Sequence, residues 1–268
     1  MSAAAAAERR FAFGANWLRF LTQLDERRIT SAEDSLRIML GVQDLKGRTF
    51  LDIGCGSGLF SLAAVRLGAS VTSFDYDPQS VACARAVEAR YGARGADWRI
   101  EQGSVLDAAY MARFSGFDVV YSWGVLHHTG DMWRALESAA RPAAAGGLLF
   151  IALYNDQGWI SRYWLIVKRI YGTGAAGRAA MIALHAPYLL VLRALVRLIA
   201  GRGQLPRGMA LWYDMLDWLG GLPFEVASVD TVVAFLDAQG FEPLRVVGCG
   251  SRHGCNEFVF RRREPRTP

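Results

Sequence analysis

A short apolar run that ends in three evenly spaced glycines places the strongest constraint on the fold of this chain. Residues 50–53 read Phe-Leu-Asp-Ile, which is typical of a short buried strand, and glycines follow at positions 54, 56 and 58. Apolar residues recur at helical spacing from Leu59 onward. We therefore predict a strand-to-helix corner, where glycine permits positive φ angles and lets the backbone approach a ligand closely.

Two acidic residues beside this corner narrow the choice of ligand. Asp52 lies just before the glycines, and Asp75 ends the second apolar run, seventeen residues after Gly58. The glycine spacing differs from the Gly-x-Gly-x-x-Gly of dinucleotide-binding proteins, in which a helix N-terminus binds a pyrophosphate. A carboxylate at position 52 would repel a pyrophosphate and attract an ammonium group, whereas one at position 75 can accept both hydroxyls of a ribose.

The combination of Asp52-x-Gly-x-Gly-x-Gly with Phe74-Asp75 resembles the class I S-adenosylmethionine (SAM)-dependent methyltransferases. The resemblance covers about residues 46–153 and 229–262. It implies SAM as the methyl donor and S-adenosylhomocysteine as the product. It also implies an α/β fold: a doubly wound, seven-stranded, Rossmann-like sheet in the order 3-2-1-4-5-7-6, with strand seven antiparallel.

Regions outside the resemblance extend this core. The apolar stripes of residues 11–40 predict N-terminal helices, which in the resembling family often lie over the cofactor as a lid. A helical insertion interrupts the sheet after strand five. The predicted division of the chain is a lid at residues 1–45, a core at 46–153 and 227–262, an insertion at 154–226 and a tail at 263–268.

The resemblance predicts which residues contact SAM. Ser104 and Val105 follow the third strand, at the position that frames the adenine in similar methyltransferases; the alternative is an ordinary β-to-α turn. The predicted contacts lie in the loops after strands one to four. They are Asp52, Gly54, Cys55, Gly56, Gly58, Asp75, Tyr76, Ser104, Val105, Ser122, Trp123 and Gly124.

The stretch Trp-Gly-Val-Leu-His-His at positions 123–128 follows the predicted fourth strand. Strand order reverses between strands one and four, so a residue here can face both the methionine end of SAM and the methyl acceptor. His127 and His128 are the candidate catalytic residues. We predict that His127 faces the site as a general base and that His128 packs beneath it. In the alternative, both histidines hold the loop by hydrogen bonds and catalysis comes from in-line alignment alone.

The same region indicates the class of acceptor. Phe-Asp-Val-Val at positions 117–120, followed by Val-Leu-His-His at 125–128, resembles the small-molecule branch of the family, similar to quinone-biosynthesis methyltransferases. The Asp/Asn-Pro-Pro-Tyr/Phe tetrad of many base-modifying enzymes is absent at this place. We predict a small hydrophobic or aromatic acceptor and no nucleic acid. An RNA methyltransferase is the runner-up, and a non-catalytic SAM-binding or assembly protein is the alternative of another class.

The charge of the insertion is one-sided. Residues 157–213 contain eight basic residues and no acidic one. The apolar run at 179–192 is shorter than the ~20 residues that span a bilayer, and it contains the helix-breaking Pro187. Three interpretations remain: a helical cap packed on the core, a pocket for a hydrophobic or anionic acceptor, and a surface at residues 158–208 that binds anionic membrane weakly.

Candidate acceptor-binding residues come from four places: the lid, the end of strand five, the insertion and the C-terminal loop. Each has a structural alternative, such as core packing for Trp17, loop capping for Tyr154 and Asn155, and pairing with arginines for Asp214. The C-terminal loop holds two cysteines and a histidine, but their spacing does not make a closed site, and we predict no metal. The candidates are Trp17, Tyr154, Asn155, Arg162, Trp212, Asp214 and His253.

Composition adds limits on class and location. The chain has 268 residues, 52% of them hydrophobic, which is enough for one large domain with a sizeable core. Its net charge is +5, but the last eight residues hold four arginines and one glutamate, so charge gives little support to nucleic-acid binding. The four cysteines form no Cys-x-x-Cys pair, and residues 1–10 lack a signal peptide's apolar stretch. We predict a cytoplasmic protein, peripheral to the inner face of a membrane if the insertion binds lipid.

Overall fold

The computed structural model describes residues 24–92, 95–192, 211–250 and 254–264. The predicted acceptor ligands Trp17 and His253 lie outside these residues. The strands are β1 Thr49–Ile53, β2 Ser70–Asp75, β3 Trp98–Gln102, β4 Phe117–Trp123, β5 Ala143–Tyr154, β6 Phe241–Val247 and β7 Cys255–Arg262. The helices are α1 Glu26–Leu40, α2 Leu59–Arg66, α3 Pro78–Tyr91, α4 Ala108–Met111, α5 Met132–Ala140, α6 Trp159–Gly172, α7 Ala175–Ala186, α8 Leu211–Gly220 and α9 Val229–Asp237.

The strands form one sheet in the order β3-β2-β1-β4-β5-β7-β6, which confirms the predicted order. The first five strands pair in parallel, whereas β7 pairs antiparallel with both β5 and β6. Because β1 lies between β2 and β4, the chain crosses over at this point and leaves a crevice beyond the carboxyl ends of β1 and β4.

Helices cover both faces of the sheet, so the central strands are buried on both sides. One face packs against α1, α2 and α3 through residues such as Leu36, Leu62 and Val87. The other packs against α4, α5 and α9 through Met111, Leu136 and others. With apolar residues required on both faces, the central strands read as continuous apolar runs, which is the pattern seen for β1 in the sequence.

Strand β5 is longer than predicted. The sequence favours a strand over residues 148–153, with the preceding glycines in a turn, but the strand begins at Ala143. Ala143 pairs with Phe117, and the pairing then shifts register before Val119 pairs with Leu148. Gly146, at a φ of 72°, lies within this irregularity. The glycines therefore interrupt the pairing without ending the strand.

The insertion forms a helical cluster with its own small core. Helices α6 and α8 bury Trp164, Val167, Met215 and Leu219 against each other and against Leu189. Helix α7 ends at Ala186, and Pro187 begins a short π-helical segment, as expected for a residue that cannot continue an α-helix. Within the described part of the chain, no helix has the length and apolar character required to cross a membrane.

Candidate active site

The glycine turn lies at the carboxyl end of β1 and is held against β2. Gly54, Gly56 and Gly58 have φ angles of 76°, 54° and 78°, so all three adopt the left-handed conformation that glycine favours. The backbone nitrogens of Gly54 and Cys55 donate to the carbonyl of Phe74 at 2.8 and 3.1 Å. A Cβ at position 54 would lie 2.4 Å from a methyl group of Val125, so close packing also requires glycine there.

Asp75 connects the turn to the end of β2. One carboxylate oxygen accepts from the backbone nitrogen of Gly56 at 2.9 Å, and the other accepts from that of Asp77 at 2.9 Å. Burial raises the pKa of Asp75, and these two hydrogen bonds oppose that rise. Each carboxylate oxygen has more than one lone pair, so both can still accept from a ligand hydroxyl.

Asp52 lies underneath the turn. Its side chain is 1% exposed, and its carboxylate accepts from the hydroxyl of Ser61 at 2.6 Å. Burial raises the pKa of Asp52 to about 7, against the effect of the Ser61 hydrogen bond and together with the charge of Asp75. Contact between Asp52 and a ligand ammonium stays a prediction; the structure shows a buried acid that is hydrogen-bonded to Ser61.

The loops after β3 and β4 contain the other predicted cofactor contacts. The hydroxyl of Ser104 accepts from the backbone nitrogen of Leu106 at 3.2 Å, and Val105 is 6% exposed. Ser122 is fully buried and donates to the carbonyl of Ile53 at 3.0 Å, which joins β4 to the last residue of β1. Contact of these side chains with a cofactor remains a prediction.

Trp123, the last residue of β4, and Gly124, which follows it, have different surroundings. A Cβ at Gly124 would meet no atom within 4 Å among the described residues, and its φ is 75°. The space beside this glycine is therefore open. The indole nitrogen of Trp123 donates to the carboxylate of Glu257 at 2.7 Å, which turns the ring toward β7.

The two histidines lie in a 3₁₀ turn at residues 126–128, directly beyond β4. His127 is fully buried, and its ring lies 3.8 Å, centroid to centroid, from that of Tyr154 at the end of β5. The Nδ1 atom of His127 accepts from the backbone nitrogen of Tyr154 at 3.3 Å. His128 is half-buried, with Nδ1 2.7 Å from the carbonyl of Pro223. Thus the structure buries His127 more deeply than His128.

Both histidines are neutral in this environment. Burial lowers the pKa of His127 well below its usual range, and the charges of His128 and Lys168 lower it further. Burial also lowers the pKa of His128 to about 3; the hydrogen bond to Pro223 opposes this effect and the charge of Lys168 adds to it. Neither ring is therefore in the protonated, imidazolium form at neutral pH.

The segment that returns from the insertion holds the histidine turn in place. The backbone nitrogen of Glu225 donates to the carbonyl of His127 at 3.1 Å. The carboxylate of Glu225 accepts from the backbone nitrogen of Met132, the first residue of α5, at 3.1 and 3.2 Å. Asp131 occupies the N-cap position of this helix, which aspartate favours, but its side chain makes no capping hydrogen bond and Glu225 supplies the acceptor instead.

Lys168 is a site residue that the sequence reasoning missed. It is fully buried on α6, its ammonium donates to the carbonyl of Trp218, and it lies 4.8–4.9 Å from the ring centroids of Trp218 and Phe224. A signal was present: the buried positions of α6 recur at helical spacing, and residue 168 falls on that stripe beside Trp164 and Tyr171. Phe224 and Glu225 gave no local signal.

The structure brings together only some of the residues predicted to bind the methyl acceptor. Tyr154 lies against His127, as described above. Asn155 binds within the C-terminal hairpin, since its amide donates to the carbonyl of Gly250 at 3.1 Å and accepts from Asn256 at 2.9 Å. Arg162 is exposed on α6. Trp212 and Asp214 belong to α8, and their side chains lie outside the described part of the structure.

Comparison with known proteins agrees with this geometry. Residues 51–151 match a family model described as a methyltransferase domain. The ubiquinone biosynthesis O-methyltransferase of Parvibaculum lavamentivorans is 37% identical over 137 residues, which make up 50% of this chain and 50% of that protein. The protein of the same name from Xanthomonas oryzae pv. oryzae is 37% identical over 112 residues, 42% of this chain and 45% of that protein. The chain thus spans about half the length of the curated relatives it matches.

A solved structure extends the likeness to most of the chain. Magnesium protoporphyrin IX methyltransferase from Synechocystis PCC 6803, with bound S-adenosylhomocysteine, matches with a TM-score of 0.56 over 93% of this chain and 94% of that one. The sequence identity is 14%, so this likeness shows the fold alone. Together with the strand order, it shows a Rossmann-like methyltransferase fold.

Proposed function

We propose that this protein, in which residues 51–151 form a class I SAM-dependent methyltransferase domain, transfers a methyl group from SAM to a small hydrophobic or aromatic acceptor. The observation that best supports this function is the hydrogen bond from Gly56 to Asp75. It places a left-handed glycine turn and a ribose-binding acid side by side at the crossover of the sheet, where ligands of such folds bind.

The residues at this edge fit SAM. The glycine turn brings backbone groups to the crevice without side chains, and the open space at Gly124 admits a ligand beside β4. Asp75 retains lone pairs for ribose hydroxyls, and next to it the ring of Tyr76 is exposed enough, at 59%, to lie against an adenine. SAM would supply an electrophilic sulfonium methyl group there.

The role of the protein in such a reaction is alignment and exclusion of water. Transfer of a methyl group from a sulfonium requires an in-line nucleophile held close, which positioning residues provide. Trp218 and Phe224 of the insertion form an aromatic wall together with Tyr154, the residue that packs on His127. The ring centroid of Tyr154 lies 5.3 Å from that of Trp218 and 5.3 Å from that of Phe224. An apolar wall of this kind suits a hydrophobic or aromatic acceptor.

Isotope transfer tests the function. The protein is incubated with methyl-labelled SAM and either a host metabolite extract or 4-octylcatechol, a hydrophobic phenol, and products are identified by mass spectrometry. We expect a labelled small-molecule product and a measurable heat of SAM binding. Gly56→Arg is the control, because a long side chain at a left-handed position that donates to Asp75 blocks the turn. Transfer that survives this substitution would contradict the proposal.

Two alternatives give different results in the same assay. An RNA methyltransferase would label RNA and show a salt-sensitive gel shift with tRNA. A non-catalytic SAM-binding protein would bind SAM in calorimetry and label nothing in the extract. Neither is favoured by an observation at the site, whereas the curated relatives are named for O-methylation in ubiquinone biosynthesis.

The exposed face of α6 supports an association with anionic membrane at the inner face. Trp159, Tyr163, Ile166 and Ile170 recur at helical spacing and are 74%, 43%, 56% and 39% exposed. Residues 157–213 contain basic residues and no acidic one, so their positive charge complements the negative charge of anionic lipid. A bound membrane would supply a hydrophobic acceptor directly to the insertion.

Liposome flotation with and without anionic lipid tests this association. We expect flotation only with anionic vesicles, and its loss when Trp159 and Ile166 are both changed to Ser. Changing Ile38, an apolar residue that is 62% exposed on α1, to Ser gives the matched control and should leave flotation intact. Equal flotation of all variants, or none with any vesicle, would remove the membrane from the proposal.

A further inference from the structure

The hydrogen bonds of His127 fix its tautomer. Its Nδ1 lies 3.3 Å from the backbone nitrogen of Tyr154, and a backbone N–H can only donate. Nδ1 must therefore hold the lone pair. In a neutral imidazole the proton then resides on Nε2, and the pKa of His127, lowered by burial, keeps the ring neutral.

His128 has the opposite tautomer. Its Nδ1 lies 2.7 Å from the carbonyl oxygen of Pro223, and a carbonyl can only accept. Nδ1 of His128 therefore carries the proton, and the lone pair of the neutral ring lies on Nε2. The two adjacent imidazoles, with centroids 4.4 Å apart, thus differ in chemistry: His127 has a donor at Nε2 and His128 has an acceptor there.

The Nε2–H group of His127 has no hydrogen-bond partner among the described residues, although the side chain is fully buried. A buried donor without an acceptor costs about 1–3 kcal/mol, and buried polar groups in native proteins nearly always find a partner. His127 also lies beyond the carboxyl end of β4, packed on the last residue of β5, at the edge where ligands of this fold bind. A molecule bound at this edge would therefore supply the missing hydrogen-bond acceptor.

We infer that the Nε2–H group of His127 donates a hydrogen bond to an oxygen atom of the methyl acceptor, so that His127 binds and orients the acceptor and does not remove its proton. This inference rests on the proposed function. It narrows the acceptor to molecules that present an oxygen with an available lone pair, such as a phenol, phenolate, carboxylate or ring carbonyl. The lone pair of His127 that could take a proton is bound to Tyr154, on the other side of the ring.

The tautomers can be read directly by NMR. In protein labelled with ¹⁵N-histidine, long-range ¹H–¹⁵N spectra distinguish a protonated ring nitrogen from one with a lone pair, and His127→Gln and His128→Asn assign the signals. We expect protonated Nε2 for His127 and protonated Nδ1 for His128. A protonated Nδ1 on His127 would overturn the inference, whatever the protein methylates.

Two substitutions at position 127 then separate donation from general base catalysis. Glutamine places an amide N–H near the position of Nε2 but cannot act as a base, whereas asparagine places its amide oxygen near Nδ1 and offers no donor at the ε position. With 4-octylcatechol, or with the labelled acceptor that the extract yields, we expect His127→Asn to raise the KM for the acceptor about 3- to 10-fold relative to His127→Gln, the effect of one lost hydrogen bond.

The failures of this inference and of the proposed function are distinguishable. Equal KM values for the two variants would mean that the donor at the ε position makes no hydrogen bond to the methyl acceptor, and would overturn the inference while leaving the enzyme intact. A collapse of turnover in both variants with KM unchanged would restore the general base. Failure of wild-type protein to bind SAM in calorimetry would refute the proposed function itself, independently of the NMR result.

Discussion

The binding edge of the sheet has two halves that differ in sequence locality and in charge. The half formed by the glycine turn and Asp75 is acidic and is assembled from a short segment: its hydrogen bonds join residues 9 and 19 positions apart. The half formed by the histidine turn combines two neutral imidazoles with the ammonium of Lys168 and the carboxylate of Glu225. It is assembled from distant segments, with hydrogen bonds that join residues 27, 93 and 95 positions apart.

This difference shows that different features of the molecule determine the structures of the two halves. In the proposed function, the local half binds the part of the ligand that is the same whenever SAM is used, so a compact strand, turn and strand are sufficient. The distant half depends on how the insertion returns to the core at residues 222–227 and so can change with the insertion while the glycine turn stays the same. Gly54 of the local half lies against Val125, which precedes the histidine turn.

The largest effect is expected from Gly54→Val. The new side chain would need a φ near 76° and would overlap Val125, whose methyl carbons lie 2.4 and 2.6 Å from the Cβ position. Because it would displace both halves at once, we expect SAM affinity to fall more than about 100-fold, equivalent to more than 2.7 kcal/mol. Calorimetry measures the affinity, and circular dichroism shows whether the fold is retained.

A matched substitution and a double substitution keep this prediction testable. Gly41→Val introduces the same side chain at a φ of 68° with nothing within 4 Å, so it should cost stability without changing SAM affinity. Gly54→Ala introduces only the Cβ that overlaps Val125 and should also lower SAM affinity. Val125→Ala removes the two overlapping methyl groups and, combined with Gly54→Ala, should restore part of that loss. If the double substitution restores nothing, the two halves are not coupled through this contact.

Asp75→Asn should have the next largest effect, confined to the local half. The amide retains one oxygen and places an NH₂ group against one of the two backbone nitrogens, so both the turn and a ligand hydroxyl lose an acceptor. We expect SAM affinity to fall about 10- to 100-fold. Asp118→Asn is the control: its carboxylate binds Thr49 through two hydrogen bonds at the opposite edge of the sheet, and it should leave SAM affinity unchanged.

The same contrast explains which parts of the molecule the sequence predicted. The glycine turn with Asp75 followed from local patterns, whereas the strand order followed from the family resemblance, and the sheet confirms that order. Positions of single side chains were harder. Asp52 lies beneath the turn against Ser61, and Glu225 takes the capping role expected of Asp131, because both outcomes depend on three-dimensional packing that no local pattern records. Lys168 shows the limit most clearly, since an amphipathic stripe does not normally bury a lysine.

Acid should destabilise the histidine half through His128. Its pKa is about 3 in the folded protein, against about 6.5 unfolded, so below pH 6.5 the unfolded chain binds a proton that the folded protein does not. Stability is therefore lost as pH falls from about 6.5 toward 3, by about 1.6 kcal/mol between pH 6.5 and 5. His128→Asn retains an N–H group for the Pro223 carbonyl and should reduce this loss by that amount in urea titrations at the two pH values. An unchanged pH slope would show that His128 titrates normally.

The glycine half should respond to pH in the same direction, but through ligand binding and at higher pH. The pKa of Asp52 is about 7, and an ammonium group nearby would favour its ionised form. SAM affinity should then rise about 10-fold from pH 6 to pH 8. Asp52→Asn can still bind Ser61 and should flatten this rise; the amino group of SAM titrates equally with both proteins. Parallel pH profiles for the two proteins would remove Asp52 from the predicted ligand contacts.

The smallest expected effect tests whether the insertion holds the distant half together through Glu225. Glu225→Gln retains an oxygen for Met132 but removes the negative charge at the N-terminus of α5, which should cost about 1 kcal/mol of unfolding free energy. Asp131→Asn, at a position without a capping hydrogen bond, should cost less. The backbone nitrogen of Glu225 donates a hydrogen bond to the carbonyl of His127, so weakening the contact between Glu225 and α5 should also displace His127. We therefore expect a higher KM for the methyl acceptor, with SAM affinity unchanged. A loss of SAM affinity instead would show that the two halves form one unit, and that the contact between Gly54 and Val125 transmits changes from either side.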